Sequence, residues 1–312
     1  MSLVTVKPGK SSRTPGKHGT GNSVIGQQFG VLQTRVARKT VAAKLGYEPR
    51  DIATFDLCAG DGAYGAGQSF RVNTSPGLFA YHALYRSGEP DALPVVHHGY
   101  ETAHPSFSNL RTMLMHELPQ MKNRNRVPYV KQSSSADHVT LRAGEKLTYT
   151  LHHGDGAQAD LSHVTPYTAA IVFCDPNSMG GSWPLTKEWL AALRQRTALV
   201  TIISTMGCNP GGLMMLPLDV RLTWYERVAG QDACAYGWHD TLIAAIAGDS
   251  QKWAYALTVP WAFREDTESA VQKAFRKNGG YEMELAWVRH DPEGARRIQD
   301  RLFLRGSERE AE

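Results

Sequence analysis

Residues 54–67 constrain the fold of this chain more than any other stretch. They read Thr-Phe-Asp-Leu-Cys-Ala-Gly-Asp-Gly-Ala-Tyr-Gly-Ala-Gly. Thr54, Phe55, Asp56, Leu57 and Cys58 suit a strand buried in an α/β sheet, with an acid near its carboxyl end. Gly60, Gly62, Gly65 and Gly67 follow. Glycine accepts positive φ and lets a ligand approach the backbone closely. The free N–H groups of such a turn form a cradle for a nucleotide-like ligand.

Size allows one large α/β domain with additions, since the chain has 312 residues, 42% of them hydrophobic. No run of 18 apolar residues exists to span a bilayer, and residues 1–23 lack the apolar core of a secretion signal. A cytoplasmic protein is expected. Cys58, Cys174, Cys208 and Cys234 are far apart in sequence. They read as reduced, mostly buried thiols. The net charge of +4 permits a polyanionic partner without demanding one.

Residues 1–23 carry Lys7, Lys10, Arg13, Lys17 and His18 and no acid. They are expected to form a disordered basic arm, serving either as a nucleic-acid contact or as a solubilising tail. Residues 24–290 are expected to form the folded domain. Within it, residues 27–45 have helical spacing, and Ser75-Pro76-Gly77 turns into a helix through Leu78, Phe79, Leu84 and Tyr85. Residues 92–101 read as a second strand ending in Glu101, followed by an amphipathic helix over 106–118. Residues 119–143, with Lys122, Arg124, Arg126, Lys131 and Arg142, read as a basic surface insertion. Residues 146–152 read as a third strand, leading to Asp155. Residues 169–177 are a continuous apolar run closed by Asp175-Pro176-Asn177, and Trp183 lies in the loop beyond. A helix over 185–196 and a fifth strand over 197–205 follow. Residues 213–250 read as helices, one of them covering 238–247. Two last strands, 252–259 and 281–288, flank a polar helix near 265–277. Residues 291–312 read as a charged helix and tail. His97-His98 and His152-His153 suggest a metal only weakly. Neighbours in a strand point to opposite faces, so each pair is a poor chelate, and no metal is expected.

Alternating strands and helices imply parallel strands with helices on both faces. Ligands of such sheets bind beyond the carboxyl ends of the strands. Asp56 with the glycines, Glu101, Asp155 and Asp175 all fall at such ends. Gly60-Asp61-Gly62-Ala63-Tyr64-Gly65 matches the dinucleotide fingerprint G-x-G-x-x-G, but the acid expected about 20 residues on falls in Arg-Ser-Gly-Glu-Pro-Asp, a loop-like stretch. The string Asp56-Leu57-Cys58-Ala59-Gly60-Asp61-Gly62 instead resembles the first motif of class I S-adenosylmethionine (SAM) methyltransferases. With Ser75-Pro76-Gly77, Tyr100-Glu101, Gly154-Asp155 and Phe173-Cys174-Asp175-Pro176, the chain is similar to the three-Cys-motif partner proteins, a methyltransferase-like family of bacteria and their mobile elements. The resemblance implies a Rossmann-like fold with a seven-stranded, mostly parallel sheet. It implies SAM as cofactor, held by Asp56, Ala59, Gly60 and Gly62, with Glu101 on the ribose diol and Asp155 on the adenine amine.

In base-modifying amino methyltransferases the fourth motif is Asp/Asn-Pro-Pro-Tyr/Phe, whose side chain and carbonyl accept from the target amine. Asp175, Pro176 and Asn177 are the catalytic candidates on that resemblance, with Trp183 stacking on an extruded base. Arg124, Arg126 and Lys131 are the candidates for a nucleic-acid backbone. The expected activity is methyl transfer to a nitrogen of a DNA or RNA base. The second proline and the aromatic are absent after Asp175-Pro176, which motivates the alternative of an inactive protein that binds SAM, nucleic acid or both. A nicotinamide dehydrogenase is the third reading.

Overall fold

The strand formed by residues 51–56, the first in chain order after the amino terminus, lies deep inside the sheet, with six strands on one side and four on the other. The computed structural model describes residues 2–4, 25–26, 38–39, 42–43, 46–60, 62, 74–175, 185–207, 239–246, 253–278 and 283–303. Its strands are β1 (Ser2–Val4), β2 (Asp51–Asp56), β3 (Val95–Glu101), β4 (Val130–Ser134), β5 (His138–Ala143), β6 (Leu147–His153), β7 (Thr168–Cys174), β8 (Val200–Gly207), β9 (His239–Ile246), β10 (Trp253–Pro260) and β11 (Met283–Trp287). Its helices are α1 (Ser75–Ser87), α2 (His104–Glu117), α3 (Lys187–Arg196), α4 (Arg264–Asn278) and α5 (Pro292–Phe303).

All eleven strands join one sheet, in the order β1-β11-β9-β10-β8-β7-β2-β3-β6-β5-β4. From β6 through β3, β2 and β7 to β8, neighbours run parallel. The reversed strand β10 lies between β8 and β9 and is antiparallel to both. β11 and β1 extend one edge, and β5 and β4 the other, all antiparallel.

The expectation of seven strands is therefore corrected to eleven among the described residues. Seven strands, β6 to β9 in sheet order, make the α/β Rossmann-like core, and two more lie at each edge. Residues 239–246, expected to be helical, are β9. Its interior is buried on both faces between β10 and β11, and an Ala-rich apolar run of that kind has no period to tell strand from helix. The stretch 281–288 does hold a strand, but β11 sits outside β9 rather than closing the core. The basic insertion 119–143 contains the hairpin β4–β5, which is hydrogen-bonded to β6 and so continues the sheet. Of the expected basic arm, Ser2–Val4 pairs with β11, and residues 5–23 lie outside the described residues.

Helices cover both faces. Phe79 and Leu84 of α1 and Phe107, Leu110 and Leu114 of α2 pack with Tyr149 and Leu151 on one side. Leu190 and Leu193 of α3 and Ala295 and Ile298 of α5 pack with Phe55, Val172 and Ile202 on the other. α1 starts where the Thr74 hydroxyl accepts from the Gly77 N–H, with Pro76 in the first turn. Thr186 caps α3 in the same way, accepting from the Trp189 N–H at 3.1 Å. No helix among the described residues is long and apolar enough to cross a membrane.

Candidate functional site

Successive parallel strands run outward from β2 in one direction (β3, β6) and then in the other (β7, β8). The crevice beyond the carboxyl ends of β2 and β7 is therefore the switch point of the sheet, where ligands of open α/β sheets bind. Asp56 ends β2, and Asp175 directly follows β7.

The turn after β2 is tied down on both sides. The Leu57 N–H donates to the Phe173 carbonyl at 3.0 Å, and the Ala59 N–H to the Tyr100 carbonyl at 2.9 Å. Gly60 and Gly62 have φ of 69° and 73°, where a side chain would be strained. Glu101 fastens the turn further. One carboxylate oxygen accepts from the Gly60 N–H and the other from the Ala103 N–H, each at 2.8 Å. A carboxylate has about four acceptor positions, so Glu101 keeps capacity for a ribose diol while it holds the cradle.

Asp56 is completely buried, and neither carboxylate oxygen has a hydrogen-bond partner of good geometry among the described residues. Burial pushes its carboxyl up to about 7. The Ser75 hydroxyl and the Cys58 N–H pull in the other direction, and the charges of Asp175 and Glu101 push it further up. Buried acids perturbed in this way cluster at functional sites. Asp175 is itself buried. Asp155 uses Oδ1 to accept from the Ala157 N–H at 2.9 Å, capping the short 3-10 turn Gly156–Gln158.

That turn presses on the cradle. A Cβ on Gly156 would lie 2.7 Å from the Leu57 carbonyl oxygen. Gly156→Ala therefore must push the turn of β6 off that of β2. The expected cost is about 1–3 kcal/mol of stability, read as a lowered urea midpoint.

The sequence-predicted residues come together only in part. Asp56, Ala59, Gly60, Glu101, Asp155 and Asp175 share the carboxyl rim, as does Gly62. Pro176, Asn177 and Trp183 lie outside the described residues. Arg124 and Arg126 stand elsewhere. α1 begins beside Asp56 and ends at Gly88, whose carbonyl accepts from Asn125 Nδ2 at 2.9 Å. A helix of 13 residues separates the two places, about 20 Å. There Arg124 donates to the Tyr85 hydroxyl at 2.8 Å and lies over its ring at 4.9 Å. Lys131 is exposed on β4 near the same end of the sheet. Ser75, Cys58, Cys174 and Gly156 are site residues that sequence reasoning did not assign. The stretch Ser75-Pro76-Gly77 was a visible signal, whereas the contact of Gly156 with Leu57 had none.

The paired histidines do point to opposite faces. His97 Nδ1 pairs with the Thr54 hydroxyl at 2.7 Å on one side, and His98 Nδ1 pairs with His152 Nε2 at 3.0 Å on the other. His98 also stacks between Phe55 and His163, with ring centroids at 5.9 and 4.6 Å. Among the described residues no group of three His, Cys, Asp or Glu is placed to hold a metal ion. Burial, with the neighbouring His163 and His152, holds His98 down to about 3. A base depressed in the folded state stays neutral there while the unfolded chain takes up its proton. Its contribution is thus present above the ordinary histidine range and lost as pH falls below it. His98→Phe should flatten the acid limb of urea stability between pH 7 and pH 5 by about 2 kcal/mol.

No family model and no curated protein matches the chain. Solved structures do. One is an rRNA methylase from Streptococcus thermophilus, at 9% identity, covering 68% of this chain and 89% of that one with a TM-score of 0.34. Another is the human methyltransferase 10 domain containing protein, at 9% identity, covering 71% and 79% with a TM-score of 0.32. Scores this low add nothing to the fold, which rests on the strand order above.

Proposed function

We propose that the chain is a SAM-dependent methyltransferase acting on a nitrogen of a nucleic-acid base. One observation carries the cofactor: the rim is built of carboxylates. Asp56, Glu101, Asp155 and Asp175 end or follow four adjacent parallel strands, and the described residues at these ends include no lysine or arginine. SAM presents an ammonium, a sulfonium, a ribose diol and an adenine amine, cations and donors that outnumber its single carboxylate. A dinucleotide presents a pyrophosphate, which this rim would repel at close range. The reversed β10 between β8 and β9 also departs from the dinucleotide strand order 3-2-1-4-5-6. A mostly parallel core of seven strands is what the resemblance of residues 56–62 implies.

In this reading the cradle at Gly60 and Gly62 admits the cofactor close to the backbone. Asp56 answers its cationic end, Glu101 takes the ribose diol, and Asp155 lies towards the adenine. When bound, SAM supplies a methyl group on a positively charged sulfur. The chain's own task is to position the acceptor nitrogen in line with that methyl and to keep water out. Asp175 accepts a hydrogen bond from the target amine, turning the nitrogen lone pair inward. Pro176, Asn177 and Trp183 complete the substrate side. A nucleic-acid strand is long enough to reach Arg124, Arg126 and Lys131 as remote backbone contacts.

Calorimetry with SAM, and with NAD as control, tests the cofactor. The expected result is binding of SAM alone, weakened at least tenfold in Asp56→Ala and in Glu101→Ala. No SAM binding by the wild type overturns the reading. Methyl label appearing on DNA or RNA, and abolished by Asp175→Ala, carries the substrate. SAM binding with no transfer to DNA, RNA or protein would instead favour the inactive form that the shortened Asp175-Pro176 motif suggests.

A further inference from the structure

Cys58 and Cys174 emerge together from neighbouring strands. β2 and β7 are parallel, with Asp56 opposite Phe173, and the hydrogen bond from Leu57 to Phe173 keeps the two chains paired where the cysteines leave the sheet. Cys174 is fully buried in the core under α3, and Cys58, half-buried, packs on the same core. Neither is in a disulfide. The two thiols meet in a side-chain contact, and this contact, with burial as the larger cause, pushes Cys174 well above the ordinary thiol range. Both flank the rim: Cys58 stands between Asp56 and Gly60, and Cys174 directly precedes Asp175.

We propose that Cys58 and Cys174 are a redox pair, closed to a disulfide by an oxidant of the peroxide class, which ties the glycine turn to the strand end carrying Asp175. The more accessible Cys58 sulfur attacks a peroxide oxygen. The O–O bond breaks, one oxygen leaves as water, and Cys58 carries the other as a sulfenic acid. The Cys174 sulfur then attacks the Cys58 sulfur, the S–O bond breaks, and the hydroxyl departs as water with the Cys174 proton. Two thiols lose two electrons and two protons, and the peroxide becomes two waters. The second step needs the Cys174 thiolate, so closure should speed up as pH rises.

The disulfide itself does not depend on the proposed cofactor; its effect on binding rests on that reading. The test is peptide mapping of the whole chain, without reductant, after treatment with hydrogen peroxide. The peptides holding residues 58 and 174 should appear as one species, two hydrogens lighter than their sum. That species should vanish in Cys58→Ser and in Cys174→Ser and be reversed by dithiothreitol. Oxygen accumulating on Cys58 with no such link, or pairing only with Cys208 or Cys234, overturns the proposal. SAM calorimetry on the same samples should show affinity at least tenfold weaker after peroxide in the wild type, and no change on treatment of Cys174→Ser. A disulfide that leaves affinity unchanged overturns the tie to the rim. Absence of SAM binding by the reduced protein overturns the proposed function and leaves the mapping result standing.

Discussion

Asp56→Asn is expected to abolish SAM binding and, at the same time, to stabilise the empty protein at pH 8. The two effects have one origin. Asp56 is buried, neither oxygen has a hydrogen-bond partner of good geometry among the described residues, and its carboxyl is pushed up to about 7. A carboxyl raised in the folded state keeps its proton where the unfolded chain has lost it. Stability from this group is therefore full below the ordinary carboxylate range and falls as pH climbs towards 7. A shift of this size amounts to about 4 kcal/mol by linkage. A bound cation offsets that loss, so cofactor binding should release a proton near neutrality and tighten from pH 6 to pH 8. Asparagine carries no charge to bury and has none to offer. Thermal unfolding at pH 8 and calorimetry in two buffers of different ionisation heat read both halves. An apo protein destabilised at pH 8 by Asp56→Asn would refute the account.

Phe55→Ala should lower stability by about 3–5 kcal/mol, a large share of the roughly 5–15 kcal/mol that holds most domains folded. Phe55 is fully buried on the central strand. Its ring meets Trp189 edge-on at 5.4 Å, His163 at 5.6 Å and His98 at 5.9 Å. Truncation would leave α3, the 154–167 loop and β3 facing a common void. The change should also weaken SAM binding, since Asp56 is the next residue and its backbone is set by the same strand. Urea unfolding followed by tryptophan fluorescence is the direct measure. A loss below 1 kcal/mol would show that the core refills the space.

What the sequence made legible was local. The apolar run ending at Asp56, the glycines after it, and the run from Thr168 to Cys174 announce buried parallel strands through composition alone. Glu101 and Asp155 follow as the acids closing the next two strands. What it hid depends on distant partners. β4 lies at an edge with mostly exposed residues, so its polar sequence reads as a loop until β5 is found beside it. β9 is buried on both faces because α4 packs over one and α5 over the other, and nothing within residues 239–246 reports those neighbours. Gly156 is required by the Leu57 carbonyl, 99 residues earlier in the chain. The meeting of Cys58 with Cys174 is hidden in the same way, by a pairing of strands far apart in sequence.

The reversed strand β10 has a consequence for how the chain is made. It is synthesised after both strands it separates. Until residues 253–260 are available, β8 and β9 each expose a bare edge, or must be held apart by about 9.6 Å, two strand spacings. Unpaired edges of apolar strands invite pairing with other chains, and late, long-range pairing prolongs their exposure. A chain stalled or cleaved near residue 250 would therefore carry a sheet with a slot in it. The strand that fills that slot separates a closed sheet from an aggregation-prone fragment, which places the most vulnerable moment of biogenesis just before residues 253–260 are made.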